Sequence, residues 1–295
     1  MKIHRLQLNS RAGFTIVELL VSISILGLLI SLLLPAVQRV RESSRDTDCR
    51  NRLHHFGIAM HSHEELHHVF PTSEFFHGSP TSRITKLTRN PANYWRCPSD
   101  RRFDEAASYI SYLVNDGLDG LQARHIRGLG DGFSISRAST RDLRASDVTD
   151  GLSQTAAVAE RLLIPISDNI LTEPELRADP NRYIWYLSSG HQTLDTLTHA
   201  CRNDRLTPYP MEISTSGSAG GQGYDHILTP NEIGCQPDSS VTSGFYHVIP
   251  ASSEHPGHVN VLMGDGAVRS VANGIELVVW RAVGTRNGNE VLGEF

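Results

Sequence analysis

The chain has 295 residues, 39% of them apolar and 20% charged, a normal globular balance that allows one large or two ordinary domains with a real core. Its formal charge is −5, and loss of the first thirteen residues, which hold Lys2, Arg5 and Arg11 and no acid, would take it to −8. A chain that acidic is a poor nucleic-acid binder, because phosphate affinity comes from clustered Lys and Arg.

In chain order, the first strong signal is Arg11-Ala12-Gly13-Phe14-Thr15-Ile16-Val17-Glu18-Leu19-Leu20 and the apolar run that carries it to Val37. Residues 14–37 are 24 positions with one charge, Glu18. At about 1.5 Å per residue such a helix crosses a hydrocarbon core of about 30 Å. A carboxylate inside the span costs about 2.5 kcal/mol or more at the bilayer centre, so Glu18 calls for a functional partner. This start closely resembles the type IV prepilin and pseudopilin amino terminus. The resemblance implies cleavage by a prepilin peptidase after Gly13, methylation of the new terminus at Phe14, and an assembly role for Glu18, which would pair with the terminal ammonium of a neighbouring subunit.

Orientation is not settled by charge. Lys2, Arg5 and Arg11 precede the span, but Arg39, Arg41, Arg45, Arg50 and Arg52 follow it, and the positive-inside count alone would favour the opposite sense. The prepilin resemblance decides for a cytoplasmic amino terminus in the inner membrane and an exported bulk. A cleaved secretory signal peptide would need a shorter apolar region and a small-residue cleavage site, and neither is evident.

Past Pro35, a predicted kink, apolar residues become periodic at Val37, Val40, Cys49, Leu53, Phe56, Met60, His63 and Leu66. The spacing predicts an amphipathic continuation of the helix to about Leu66, ended by Phe70-Pro71. Within it His63-Glu64-Glu65-Leu66-His67 reads as H-E-x-x-H, the zinc-hydrolase pattern with two His ligands and a Glu base. Seven histidines crowd residues 54–77, which makes a chance match far more frequent, and the third ligand of the extended motif is missing. No catalytic residue, metal or cofactor is therefore assigned.

Residues 72–93 read as loop and Cys97-Pro98-Ser99-Asp100 as a turn. Residues 108–114 and 155–160 read as strands, with turns at Asn115-Asp116-Gly117 and across 147–152. Asp150 and Glu160 are read as turn and strand-end residues, 168–182 as a connector, 183–188 as an aromatic strand, and 214–223 as a Ser/Gly-rich loop. His226 is read as structural. Cys49, Cys97, Cys201 and Cys235 fit an exported domain with up to two disulfides; three connectivities are possible, and nearest-neighbour pairing, Cys49 with Cys97 and Cys201 with Cys235, is the expectation.

Near the carboxy terminus Val259, Val261 and Met263 alternate, Asp265-Gly266 is a tight-turn dipeptide, and 267–271 is the returning arm of a hairpin. His255 precedes Asp265 by ten positions, giving H-x9-DG. The reading is a His capping the strand start and an Asp shaping the turn, with no direct contact between the two. Residues 275–282 close the chain as a helix or strand.

The prepilin start, Cys49-Arg50-Asn51, Phe70-Pro71, Cys97-Pro98-Ser99-Asp100, Asp150-Gly151 with Ser153-Gln154-Thr155, and the motif residues His255, Asp265 and Gly266 stand in the order seen in pilin-like proteins expanded in planctomycete-type bacteria. The resemblance implies an α+β pilin-like fold, with a long spine helix, half transmembrane and half amphipathic, packed on an antiparallel sheet. The expected parts are a leader at 1–13, the helix at 14–66, and an exported head at 67–295 ending in the hairpin at 255–271. Expected partners are prepilin peptidase, other pilin-like subunits through the amino-terminal helix, and membrane lipid, but not nucleic acid. The expected role is a structural subunit of a type II secretion or type IV pilus-like assembly, not an enzyme. Two alternatives remain: an anchored ectodomain binding carbohydrate or protein, with Tyr183, Trp185 and Tyr186 as surface aromatics, and more remotely an H-E-x-x-H hydrolase using His63, Glu64 and His67.

Overall fold

The computed structural model describes residues 15–71, 95–102, 111–118, 132–133, 142–163, 173–187, 193–203, 207–209, 223–237 and 248–290. Gly13 and Phe14, the loop at 72–93, the start of the strand expected from 108 and the Ser/Gly-rich stretch to 222 lie outside them. Helix α1 runs from Ile16 to His67, through Pro35. Two compact units divide the chain, Met1–Ser44 and Arg45–Phe295.

In the first unit every large apolar side chain from Ile16 to Val40 is between 44% and 78% exposed, so the described residues of that unit leave this stretch uncovered. Its hydroxyls are satisfied locally: Ser22 and Ser24 donate to the carbonyls of Glu18 and Leu20, and Ser31 to that of Leu28. Backbone partners of this kind are what a helix needs in a medium without water. The helix is long and apolar enough to cross a membrane.

In the second unit α1 becomes amphipathic. Cys49, Leu53, Phe56, Gly57, Ala59 and Met60 are buried, a stripe with the three-and-four spacing of one helix face. Val37 and Val40, expected on the same stripe, fall in the first unit, and Leu66 is exposed, because the buried face ends at Met60.

That face lies on a four-stranded antiparallel sheet in the order β1-β2-β6-β7, formed by β1 (Tyr112–Val114), β2 (Ala156–Glu160), β6 (His258–Met263) and β7 (Val268–Ala272). Alternation along each strand divides the core. Tyr112, Val114, Val158 and Leu262 join Leu53, Phe56 and Met60 of the helix, with Trp95 and Phe133. Leu113, Ala159, Val259, Val261 and Met263 point the other way, toward Tyr183, Tyr224 and Trp280. The alternating residues of the hairpin thus face away from the spine helix, and both faces of the sheet are covered.

The second sheet, in the order β4-β3-β5, comprises β3 (Ile184–Leu187), β4 (Thr207–Tyr209) and β5 (Gly234–Pro237), with β3 antiparallel to β4 and parallel to β5. Helix α3 (Leu194–Asn203) packs its Leu197, Ala200 and Cys201 beside Leu187, Ile227, Leu228 and Val248. The segment read as a connector holds a short helix α2 (Glu173–Ala178) and a 3-10 turn (Pro180–Arg182). The closing segment is helix α4 (Leu277–Gly284). Both disulfides are present in the expected pairing, Cys49–Cys97 and Cys201–Cys235, with Cα separations of 5.3 and 5.7 Å.

Candidate functional site

The H-x9-DG hairpin and the middle turns of α1 form one contact. At the turn, Asp265 Oδ1 accepts the N–H of Ala267 at 2.9 Å, and Gly266 has φ +89°, a left-handed conformation that favours glycine. Gly266 lies against the helix beside Gly57 and His61. Ten residues upstream, His255 is buried, and its Nε2 is 3.2 Å from Glu160 Oε1 and 3.7 Å from Asp46 Oδ1. The two ends of the motif therefore do not meet; each touches α1, one near Asp46 and the other near Gly57. The expectation of a His capping the strand start is corrected here, since the Ser253 hydroxyl makes the local bond, donating to the carbonyl of His258.

Glu160, read from the sequence as a strand-end residue, is fully buried. Its Oε2 accepts the backbone N–H of Asn260 at 2.8 Å, while the Asn260 amide donates to Asp46 Oδ1 at 2.7 Å. His258 Nε2 reaches the same Asp46 oxygen at 3.3 Å. Burial alone would raise the Asp46 carboxyl; the Asn260 amide and the two nearby imidazoles outweigh it and hold the group below the usual carboxylate range.

A second buried cluster centres on Arg182, whose side chain is fully enclosed. It donates to both Asp100 oxygens at 2.9 Å, to Asp179 at 2.6 Å, to Glu254 at 2.7 Å and to the carbonyl of Leu163. Arg101 braces Asp179 and Glu254 from the surface. Burial would raise the Asp179 carboxyl, but the two guanidiniums outweigh it and keep it low. The turn Cys97–Asp100, Glu254 next to the motif histidine, and the disulfide to α1 are thereby tied to one another.

The remaining candidates fall elsewhere. Glu18 closes a capping box with Thr15, whose backbone N–H and hydroxyl both donate to Glu18 Oε2, at 2.9 and 2.8 Å. His63 Nδ1 bonds the carbonyl of Val69 at 3.0 Å, and the His63 and His67 rings lie 4.4 Å apart at the helix end. Among the described residues, the His, Cys and acid groups whose ligand atoms converge do not include His63, Glu64 or His67. Asp150 accepts the N–H groups of Gly288 and Asn289, a turn clamp. His226 is buried, bonded through Nδ1 to the carbonyl of Trp280 and through Nε2 to the Tyr224 hydroxyl. Tyr183 and Trp185 are buried and Tyr186 is half-buried, which corrects their reading as surface aromatics: Trp185 and Tyr186 lie on β3, the central strand of its sheet, and Tyr183 directly precedes it.

With this geometry in hand, comparison with known families is specific. The family described as "Protein of unknown function (DUF1559)" matches residues 38–88 and 85–277, most of the chain, including the spine turns, both clusters and the hairpin. The chain belongs to that family. Residues 8–34 match the prokaryotic N-terminal methylation motif, which covers Gly13, Phe14 and Glu18. No curated protein and no solved structure matches. This member is a prepilin-like protein of the type IV pilin family, membrane-anchored through its amino-terminal helix, and its motif implies processing by a prepilin peptidase and assembly with pilin subunits. The family match ends at residue 277, where α4 begins, so the part shared with the family contains the whole contact between the hairpin and α1.

Proposed function

We propose that the protein is a structural pseudopilin-type subunit of a type II secretion or type IV pilus-like assembly, a substrate of processing chemistry rather than an enzyme. In this reading the peptidase cuts after Gly13 and methylates Phe14, the amino terminus lies on the cytoplasmic side of the inner membrane, and the head is exported. Glu18 then serves as the assembly contact, taking the terminal ammonium of a neighbouring subunit in a medium where a lone carboxylate is expensive.

The observation that carries the reading is the uncovered apolar length of α1. Large side chains from Ile16 to Val40 are all at least 44% exposed among the described residues of their unit, a surface suited to cover by lipid or by the helices of other subunits. The packed middle turns, by contrast, belong to the head. A helix divided in this way between an open apolar part and a docked part suits assembly through the first part and display of the head by the second.

Mass spectrometry of the native amino terminus tests the processing step, with methylated Phe14 expected and a terminus at Met1 opposing it. Cross-linking between subunits in membranes tests the assembly contact. Glu18→Ala is expected to weaken it sharply, and unchanged cross-linking would remove Glu18 from that role.

A further inference from the structure

The histidines of the hairpin start and the acid of the spine helix form an arrangement that neither the pilin reading nor the expectation of no metal accounts for. His255-Pro256-Gly257-His258 is a tight turn in which Gly257 has φ +81°. That turn sets the two imidazole centroids 5.3 Å apart with their planes 10° from parallel. Both Nε2 atoms then converge on one oxygen of α1, Asp46 Oδ1, at 3.3 Å from His258 and 3.7 Å from His255.

The hydrogen bonds assign the tautomer of His258. Its Nδ1 faces the carbonyl of Pro256 at 3.3 Å, and a carbonyl can only accept, so Nδ1 carries the proton. Nε2 of the neutral ring then presents a lone pair to a carboxylate oxygen, two acceptors 3.3 Å apart. A positive charge belongs between them. Two imidazole nitrogens and one carboxylate oxygen lying within 4.8 Å of one another are also a set that a metal ion takes. With ligand bonds of about 2.0–2.2 Å the edges of a tetrahedron are about 3.3–3.6 Å; the His258 separation of 3.3 Å falls in that range and the His255 separation of 3.7 Å lies just beyond it, so His255 must close slightly on the ion.

The surroundings are those of a ligand set held in place. The Asn260 amide fixes the Asp46 carboxylate at 2.7 Å, and the Pro256 carbonyl fixes the His258 ring, the kind of outer support that orients metal ligands. Glu160 Oε1, 3.2 Å from His255 Nε2, adds negative charge from the buried side. Cys97 Sγ is also near His255, but it is joined to Cys49 and is not available as a thiolate. Asp46 and His258 retain 23% and 24% side-chain exposure, which gives an ion a way in and leaves a fourth position for water.

We propose that Asp46, His255 and His258 bind a zinc ion that clamps the spine helix onto the H-x9-DG hairpin. Two imidazoles and a carboxylate are a borderline-soft N/O set suited to zinc rather than to magnesium or calcium, which prefer all-oxygen shells. The site is structural, and it stands whether or not the subunit forms a filament.

The test uses the full chain in detergent, stripped with a chelator and titrated with zinc against a competing fluorescent chelator, with metal content measured by plasma mass spectrometry. One zinc per chain is expected. His258→Ala and Asp46→Asn, at partly exposed positions, should each lower the affinity by at least roughly 100-fold, because loss of an outer support alone costs about 10–100-fold. The double variant His63→Ala/His67→Ala should leave it unchanged. No stoichiometric zinc, as expected if protons alone occupy the cluster, overturns the proposal. So does binding that survives both cluster variants or disappears with the helix-end histidines. Circular dichroism identifies any variant that fails to fold, and Asp46→Asn, which keeps the shape and an oxygen for the Asn260 amide, then carries the result.

Discussion

Gly57 of the spine helix and Gly266 of the hairpin turn meet closely: a Cβ added to Gly57 would lie 3.3 Å from Gly266 Cα and 3.1 Å from Leu262 Cδ1. The helix and the DG turn approach at this point because neither has a side chain to hold them apart. Gly57→Ala combines a gain of about 1 kcal/mol in helix propensity with a contact that must yield by a few tenths of an ångström, and stability within about 1 kcal/mol of wild type is expected. Gly57→Leu has no such room and should lose about 1–3 kcal/mol by overpacking. Gly266→Ala meets no backbone, only the His61 ring at 3.5 Å, yet its φ of +89° should cost about 1–2 kcal/mol. Denaturant titration followed by the fluorescence of Trp95, Trp185 and Trp280, all buried in the head, measures each. A Gly57→Leu variant as stable as wild type would show that the hairpin does not dock there.

Arg182 should be the most sensitive charged position in the head. Its replacement by Met strands Asp100 in a buried setting and leaves Asp179 with Arg101 alone, and a loss of about 3–5 kcal/mol is expected. Glu254 matters less, being partly exposed and still held by Arg101. Pairing Arg182→Met with Asp100→Asn should recover part of the loss, since the second change removes a stranded charge. Strictly additive effects in that cycle would separate the two residues.

The disulfide Cys49–Cys97 joins α1 to the turn that carries Asp100, across 48 residues, and Cys201–Cys235 closes 34. In the chain-entropy account each restrains the unfolded chain by about 4 kcal/mol. Cys49→Ala/Cys97→Ala should lower the unfolding midpoint strongly and also raise proteolysis of the 95–102 segment. Cys201→Ala/Cys235→Ala should act on α3 and β5 and leave that segment protected. Limited proteolysis with peptide mapping distinguishes the two patterns, and equal cleavage at both places would contradict it.

Much of the architecture was legible because its signals are local. Twenty-four consecutive positions with one acid announce a span, and Asp265-Gly266 between alternating apolar residues announces a hairpin. The cluster at the motif was not legible. Asp46, Glu160 and Asn260 are brought together only by the docking of α1 on β2 and β6, and nothing in their local sequence marks them. Glu160 looked like an ordinary strand end because alternation cannot tell a sheet covered on one face from one covered on both. Residues 168–182 read as a connector, yet Pro174 occupies the second position of α2, where a missing N–H leaves nothing unsatisfied. Helix α3 did carry a usable signal in Thr193 and Thr196 at its start and in Leu197, Ala200 and Cys201 on one face.

Adjacent residues should give the head two opposed pH dependences. Burial pushes His226 down to about 3, so between about 3 and 6.5 the unfolded chain binds the extra proton, and this group contributes stability that grows as pH rises. Burial pushes Asp225 up to about 7 despite backbone N–H bonds from Ile249 and Ile227, so between about 4 and 7 the folded chain holds the extra proton, and stability from this group falls as pH rises. Across roughly pH 4 to 6.5 the two slopes offset each other; His226 alone governs the acid side and Asp225 the last step toward neutrality. The gap between wild type and His226→Gln should therefore widen with pH up to about 6.5, by at most about 1.4 kcal/mol per unit, and then level off. The gap between wild type and Asp225→Asn should shrink from about pH 4 to 7 and stay constant above. Urea titrations at pH 4, 5.5 and 7.5 follow both gaps, and parallel curves for the three proteins would mean that neither group changes its protonation behaviour on folding.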